Sequence, residues 1–114
     1  MEFDKELLGK LFAQAKENPR LRQNYDLRTS SADTSQRMLN ALMPGTVVSV
    51  HRHEDTTETV MCLCGRLDEV IYEAVTSADG KDEYREVERI HLCPAEAKYG
   101  CQIPKGVWHT VEVI

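Results

Sequence analysis

The chain has 114 residues, of which 41% are hydrophobic and 29% are charged, and its formal net charge is −5 at pH 7. This length and composition suit a single compact domain, and a membrane span is excluded because no apolar run approaches the roughly 18 residues that a span needs. The acidic balance and the lack of a long basic run exclude a nucleic-acid interface and favour a small-molecule partner.

The first predicted element is an amphipathic helix. Its apolar residues recur at helical spacing and are Phe3, Leu7, Leu8, Leu11, Phe12 and Ala15. Asp4 can cap the start and Asn18-Pro19 ends the run, so we assign residues 1–19 to a helix packed on the outside of the rest of the domain. The N-terminal segment lacks the basic and apolar regions of a signal peptide, from which we expect a cytoplasmic protein.

Short strands are predicted over most of the remaining chain. A polar stretch after Asp26 is typical of a loop, and strands follow near residues 36–43, 45–53, 58–65, 66–76, 83–93, 98–103 and 107–113. Residues 76–81 are predicted to form a hairpin turn between two of them. Strands separated by turns, after one helix, predict a mainly β fold, either a sandwich or a barrel, over residues 20–114.

The most informative motif is a set of metal-ligand residue types. His51 and His53 lie two apart, so that on a strand both imidazoles point to one face. Glu58 follows a short polar run that can turn the chain back and aim a carboxylate at the same point. His109, a lone histidine on an apolar strand entered by a Pro/Gly turn, is the fourth candidate ligand.

The spacing of these residues resembles the two signature motifs of the cupin superfamily. The first motif is Gly45-x5-His51-x-His53-x4-Glu58-x6-Gly65, and the second is Pro104-x-Gly106-x-x-His109. The resemblance implies a small jelly-roll barrel, or double-stranded β-helix, that binds one divalent metal ion through His51, His53, Glu58 and His109. The second motif departs from the usual pattern: only three residues separate Gly100 from Pro104, and Val113 stands where an asparagine is often found.

A closer resemblance extends over almost the whole chain. The N-terminal helix is followed by Asn18-Pro19-Arg20, Asn24, the run at 35–42, Pro44-Gly45 and His51-Arg52-His53, and this combination looks like the WbuC-type cupin metalloproteins. These small proteins are associated with bacterial surface-polysaccharide gene clusters. The resemblance implies a small polar or anionic ligand, carbohydrate derivatives included. The family usually carries a histidine at the position of Tyr25-Asp26 and usually extends beyond Ile114.

Basic and amide side chains before the metal motif are candidates for contacting such a ligand. They are Arg22, Asn24, Gln36, Arg37 and Asn40. Arginines near a helix end also bond to carbonyls or surface carboxylates, so a structural role is an equal alternative. We hypothesise that Arg37, with Gln36 or Asn40 nearby, borders the ligand pocket.

Two classes of function stay open. Three imidazoles and one carboxylate leave positions open on a divalent ion such as Fe(II), Zn, Mn, Ni or Co, which suits a metalloenzyme of the oxygenase or sugar isomerase and lyase types. In the second class the same ion only organises a non-catalytic pocket for a sugar or an organic acid. An enzyme also needs an acid or base, for which Tyr72, Tyr99 and Cys62 are candidates. A metal-free sugar-nucleotide isomerase is a third option, which the intact ligand set opposes.

The remaining expectations concern the cysteines, His91 and assembly. Strand parity places Val60, Cys62 and Cys64 on the face of Glu58, with Met61 and Leu63 on the other. All four cysteines are expected to be free thiols, and His91, which lies outside both motifs, is expected to be a surface or packing residue. The unpaired apolar edge at residues 111–114 leads us to expect a homodimer.

Overall fold

The computed structural model describes residues 1–114. Its elements are α1 (Lys5–Glu17), β1 (Arg22–Asp26), β2 (Met38–Leu42), β3 (Glu58–Met61), β4 (Leu67–Thr76), β5 (Asp82–Leu92), a short 3₁₀ helix (Pro94–Glu96), β6 (Gly100–Ile103) and β7 (Trp108–Val113). The fold is therefore mainly β with one N-terminal α-helix. This helix has neither the length nor the apolar character to cross a membrane. The residues group into two compact units, Met1–Val47 and Val48–Ile114.

The predicted helix and both of its ends are confirmed. Asp4 is the N-cap, and its Oδ1 accepts a hydrogen bond of 2.9 Å from the amide of Leu7. The helix ends at Glu17, and Asn18 is already extended with ψ of 133°. A helical conformation at Asn18 is disfavoured because the ring of Pro19 would clash with it.

Within Met1–Val47, α1 packs on the antiparallel pair β1 and β2. The core of this unit is formed by Leu11, Ala15 and Ala41, which are buried. The sequence does not predict β1, since Arg22–Asp26 has no apolar alternation. All five of its residues nevertheless pair with β2, so tertiary pairing rather than intrinsic propensity makes this strand.

Within Val48–Ile114, the strands form two antiparallel sheets, β3–β6 and β5–β4–β7. The predicted hairpin turn at residues 76–81 is confirmed, because Ser77 donates a hydrogen bond of 2.8 Å to the carbonyl of Lys81 between β4 and β5. The strands of the chain thus lie in three separate antiparallel sheets, and no closed barrel is formed.

The prediction of a strand over residues 45–53 is wrong. In this segment only His51 makes a backbone bridge, to His109 of β7. The carbonyl of Val48, which would pair with a backbone amide in a continuous strand, accepts a hydrogen bond of 2.5 Å from the hydroxyl of Thr110 instead. The hydroxyl of Thr110 thus takes the place of a backbone amide donor at Val48. The segment runs beside β7 without forming a regular strand.

Strand parity is confirmed for part of β3 and its extension. Val60 and Cys62 point inward, whereas Met61 and Leu63 are 60% and 49% exposed. Cys64 is exposed, contrary to the prediction. The reason is that β3 ends at Met61 and the chain turns near Gly65, whose φ of 75° is in the left-handed region.

The register defines one inner face on each sheet of this unit, since paired residues of antiparallel strands point the same way. On β4 and β7, the pairs Glu69–Val111 and Ile71–His109 share a face. On β3 and β6, Glu58 pairs with Ile103. A hydrogen bond of 3.0 Å from His109 Nε2 to Glu58 Oε2 joins the two faces.

Replacement of Gly100 tests the close approach of β3 and β6. In Gly100→Ala the new Cβ would lie 2.5 Å from the carbonyl oxygen of Val60, and backbone cannot move aside cheaply. We expect a loss of about 1–3 kcal/mol in the free energy of unfolding measured with urea. Gly9→Ala is the control: nothing lies within 4 Å of its Cβ, so this helix position should gain up to about 1 kcal/mol. Equal unfolding midpoints for Gly100→Ala and the native chain would contradict the described strand pairing.

Candidate metal centre

The structure brings the four predicted ligands together. The donor atoms of His51, His53, Glu58 and His109 all lie within 4.8 Å of one another. The ring centroids of His51 and His109 are 4.4 Å apart, and those of His51 and His53 are 5.2 Å apart. The residues come from three places in the chain, namely the segment before β3, the start of β3 and the start of β7.

Main-chain hydrogen bonds hold these segments in position. His51 and His109 exchange two of them, with N to O distances of 3.0 and 2.8 Å. The amide of Gly106 donates to the carbonyl of His53 at 2.7 Å, and Gly106 has a φ of 81° that favours glycine. The turn before β7 is therefore attached directly to the segment that carries the histidine pair.

In two of the imidazoles, Nδ1 is hydrogen-bonded to a backbone carbonyl. Nδ1 of His51 lies 2.8 Å from the carbonyl oxygen of Ser49, and Nδ1 of His109 lies 2.9 Å from that of Val107. A carbonyl oxygen only accepts, so each Nδ1 carries a hydrogen and donates it. Nε2 of each ring is left for the cluster, which is the arrangement of metal-binding histidines. This donor set fits a divalent transition metal.

Glu58 provides the negative charge at the centre of the cluster. Its Oε2 lies 3.0 Å from Nε2 of His109 and 3.1 Å from Nε2 of His53. The hydrogen bond between Glu58 and His109 lowers the pKa of the carboxyl and raises the pKa of the imidazole. This hydrogen bond joins the two side chains, and a bound cation would take the place of its hydrogen.

Glu69 is a buried carboxyl that the sequence reasoning missed. It is 5% exposed and lies on the inner face with His109, and no hydrogen bond is among the causes that shift its pKa. Burial, and next the negative charge of Glu58, raise the pKa of Glu69 to about 7. A signal was present in the sequence: Asp68 and Glu69 are adjacent on a strand, so one of the two must point inward.

The acid and base candidates predicted from the sequence are placed less favourably for proton transfer at the cluster than Glu69 is. Tyr72 pairs with Trp108 and so lies on the opposite face of the sheet from His109. Tyr99 is 56% exposed. Cys62 is buried, and burial raises the pKa of its thiol. Burial also raises the pKa of Cys101 on the inner face, to about 11. All four cysteines are free.

Arg52 separates the two histidines of the pair, and its side chain lies on Trp108. The guanidinium carbon is 4.6 Å from the centroid of the Trp108 ring, and the Tyr84 ring is 4.9 Å from the same ring. Trp108 is thus a packing residue. The cation–π contact helps to orient the segment that carries His51 and His53.

Three of the predicted ligand-contacting residues lie together in Met1–Val47. Arg22, Asn24 and Asn40 line an open pocket of about 410 Å³, together with Asn18, Arg20 and Gln23. Gln36 and Arg37 are not among its lining residues. Arg37 instead donates hydrogen bonds to Asp33 at 2.9 Å and to the carbonyl of Ser35 at 2.6 Å.

The pocket is positively charged, and no carboxylate pairs with its arginines. Arg20 and Arg22 form no ion pair, unlike Arg28 and Arg37. Leu21, between the two arginines, has a φ of 56°, which is uncommon for a residue other than glycine and costs conformational energy. Guanidinium and amide donors of this kind suit a carboxylate, a phosphate or a polyhydroxylated compound.

The burial of Glu69 predicts a pH dependence of stability in the ion-free protein. The unfolded chain releases this proton near pH 4.5, whereas the folded protein keeps it up to about pH 7. Stability therefore falls as pH rises through this window. Glu69→Gln should lack this contribution, so the native chain should lose on the order of 3 kcal/mol relative to the variant between pH 4 and 8. Urea unfolding in the presence of a chelator measures the difference, and parallel pH profiles would contradict it.

Comparison with known proteins gives one family match. Residues 3–83 match a family described as a domain of unknown function (DUF6016). No curated protein and no solved structure matches the chain. Since the match spans well over half of the sequence, the protein belongs to the DUF6016 family, and the matched residues include three of the four candidate ligands.

Proposed function

We propose that the protein is a divalent-metal-binding cupin that acts on a small polar or anionic molecule, carbohydrate derivatives included, as the WbuC-type resemblance implies. The observation that carries the proposal is the convergence of three imidazoles and one carboxylate whose donor atoms lie within 4.8 Å of one another. Residues far apart in the chain, such as His53 and His109, have little other reason to meet with their Nε2 atoms 3.1 and 3.0 Å from the same carboxylate oxygen.

The charge around the cluster supports a cation as its occupant. Glu58 and the buried Glu69 lie on the joined inner faces, and neither forms an ion pair with lysine or arginine. A divalent ion at the cluster would neutralise this charge and would stabilise the ionised form of both carboxyls. Burying an unpaired carboxyl such as Glu69 is costly, and a nearby cation would offset this cost where packing alone does not.

The cupin architecture is part of the proposal. It is supported by two antiparallel sheets whose inner faces are joined through His109 and Glu58. When bound, the ion would supply a Lewis acid with coordination positions open to a ligand. His51, His53, Glu58 and His109 would hold it, and Glu69 would hold or move a proton beside it.

The alternative is a non-catalytic, metal-dependent module that binds a sugar or an organic acid. The observation that favours it is the pocket in Met1–Val47, which is lined by arginine and amide side chains and contains no acid or base suited to proton transfer. The homodimer remains a prediction, supported by the position of β7 at the edge of its sheet.

The metal content of purified protein tests the proposal. The chain is purified anaerobically without chelators or a metal-affinity column, and bound metals are quantified by mass spectrometry. We expect His51→Ala/His53→Ala to hold one ion fewer than the native chain, and Glu58→Gln to bind its ion at least about tenfold more weakly. Glu54→Gln is the matched control, because Glu54 is exposed and pairs with Arg52 rather than with the cluster.

The same measurement separates the chemical classes. Stoichiometric iron at the cluster would favour oxygen-dependent chemistry, and zinc, manganese or nickel would favour Lewis-acid chemistry or a binding role. Equal metal content in the native chain and the double-histidine variant would overturn the proposal.

A second test concerns the pocket lined by Arg20, Arg22 and amide side chains in Met1–Val47, and it uses glucuronate as the probe. Loss of a charge-assisted hydrogen bond costs about 1.5–3 kcal/mol, so Arg22→Ala should weaken binding at least about tenfold by calorimetry. Arg37→Ala should leave the affinity unchanged, since Arg37 is paired with Asp33 and does not line the pocket. A loss in Arg37→Ala with none in Arg22→Ala would restore the sequence-based hypothesis for Arg37 and exclude this pocket as the site.

A further inference from the structure

A second cluster of metal-ligand side chains lies where β5 ends. His91 is the next-to-last residue of β5, Cys93 is the first residue after the strand, and Glu96 lies in the 3₁₀ helix. Cys93 and Lys98 exchange two backbone hydrogen bonds of 2.8 and 3.1 Å, and Ala97 closes the turn with a left-handed φ of 59°. This turn folds Glu96 back over His91, so that the donor atoms of His91, Cys93 and Glu96 lie within 4.8 Å of one another.

The imidazole of His91 is oriented by a carboxylate behind it. Nδ1 lies 2.7 Å from Oδ1 of Asp68, and the other oxygen of Asp68 accepts a hydrogen bond of 3.0 Å from Arg89. Asp68 is 7% exposed and is therefore a fixed partner. Nε2 of His91 is directed at Glu96, 3.0 Å from its Oε2. A carboxylate on one ring nitrogen, with the other nitrogen facing further ligands, is how proteins commonly present histidine to a metal.

This cluster is separate from the first one. Asp68 and His91 are paired in the register of β4 and β5, whereas Ile71 pairs with His109. Asp68 and Ile71 are an odd number of residues apart on β4, so their side chains lie on opposite faces of the sheet. The outer face carries His91 and the inner face carries His109, and no ligand is shared.

We propose that His91, Cys93 and Glu96 form a second metal site, which takes a divalent ion of the zinc and cobalt class, with Asp68 as the positioning residue. One nitrogen, one thiolate sulfur and one carboxylate oxygen form a mixed donor set that such borderline ions accept. Tetrahedral zinc places its ligand atoms about 3.5 Å apart, a separation that small side-chain rotations reach from the present arrangement. The fourth position is left to water or to an external ligand.

The proton balance of binding is defined by the ligands. The hydrogen bonds to Asp68, and next to Glu96, raise the pKa of His91. Nε2 of His91 faces a carboxylate oxygen of Glu96, which only accepts, so this nitrogen donates a hydrogen to it when no ion is bound. Binding displaces this proton and the proton of the Cys93 thiol, and both go to solvent. The ion would tie the end of β5 to the turn that leads into β6.

Cobalt(II) is the probe, because a thiolate ligand gives a near-ultraviolet charge-transfer band that a cluster of imidazoles and a carboxylate cannot give. We expect the band in the native chain and, with a single equivalent at saturation, in His51→Ala/His53→Ala. Cys93→Ser should abolish it, and Cys64→Ser should retain it, since Cys64 is an exposed free thiol outside the cluster. Asp68→Asn should weaken the cobalt affinity by about 10–100-fold.

Far-ultraviolet circular dichroism of each variant establishes that it is folded. Absence of the band in the native chain, or its persistence in folded Cys93→Ser, would overturn the second site. These outcomes are independent of the first cluster, because failure of the first proposal changes the total metal content and leaves the sulfur band unaffected.

Discussion

The candidate metal centre depends on the two backbone hydrogen bonds between His51 and His109. These bonds, of 3.0 and 2.8 Å, attach a segment without regular strand structure to the start of β7. They place the imidazoles of His51 and His109 side by side. The amide of Gly106 donates a hydrogen bond to the carbonyl of His53 and so holds the third histidine near them. Glu58 enters from a different sheet and joins the group through His109. Each ligand is thus held by main chain or by another ligand, as a preorganised site requires.

Strand β4 shows how one sheet can serve two clusters. Its neighbours Asp68 and Glu69 point to opposite faces: Asp68 orients His91 on the outer face, and Glu69 lies on the inner face with His109. The two carboxyls experience opposite environments. Hydrogen bonds from His91 and Arg89 outweigh burial and lower the pKa of Asp68, whereas burial without a cationic partner raises the pKa of Glu69. The alternation of the strand places the two carboxyls on opposite faces, and the different partners on those faces shift the two pKa values in opposite directions.

Local signals in the sequence were sufficient for the helix, its caps and the β4–β5 turn, because capping and turn chemistry act over a few residues. The residues of the first cluster were named from their residue types and spacing together with the cupin resemblance. They were insufficient for β1, whose polar residues become a strand only through pairing with β2. They also failed for residues 45–53, where the hydroxyl of Thr110 replaces a backbone donor. Strand alternation indicates that either Asp68 or Glu69 points inward but not which of the two. The grouping of His91 with Glu96 depends on a turn closed by Ala97, which no spacing rule reveals.

The contact between Arg52 and Trp108 gives the protein an intrinsic optical reporter. Trp108 is the single tryptophan of the chain, it precedes His109, and its ring carries the guanidinium of the residue between His51 and His53. Any shift of the histidine pair on ligation must move this cation relative to the indole. Emission from the native chain would therefore report on changes at the cluster without a label.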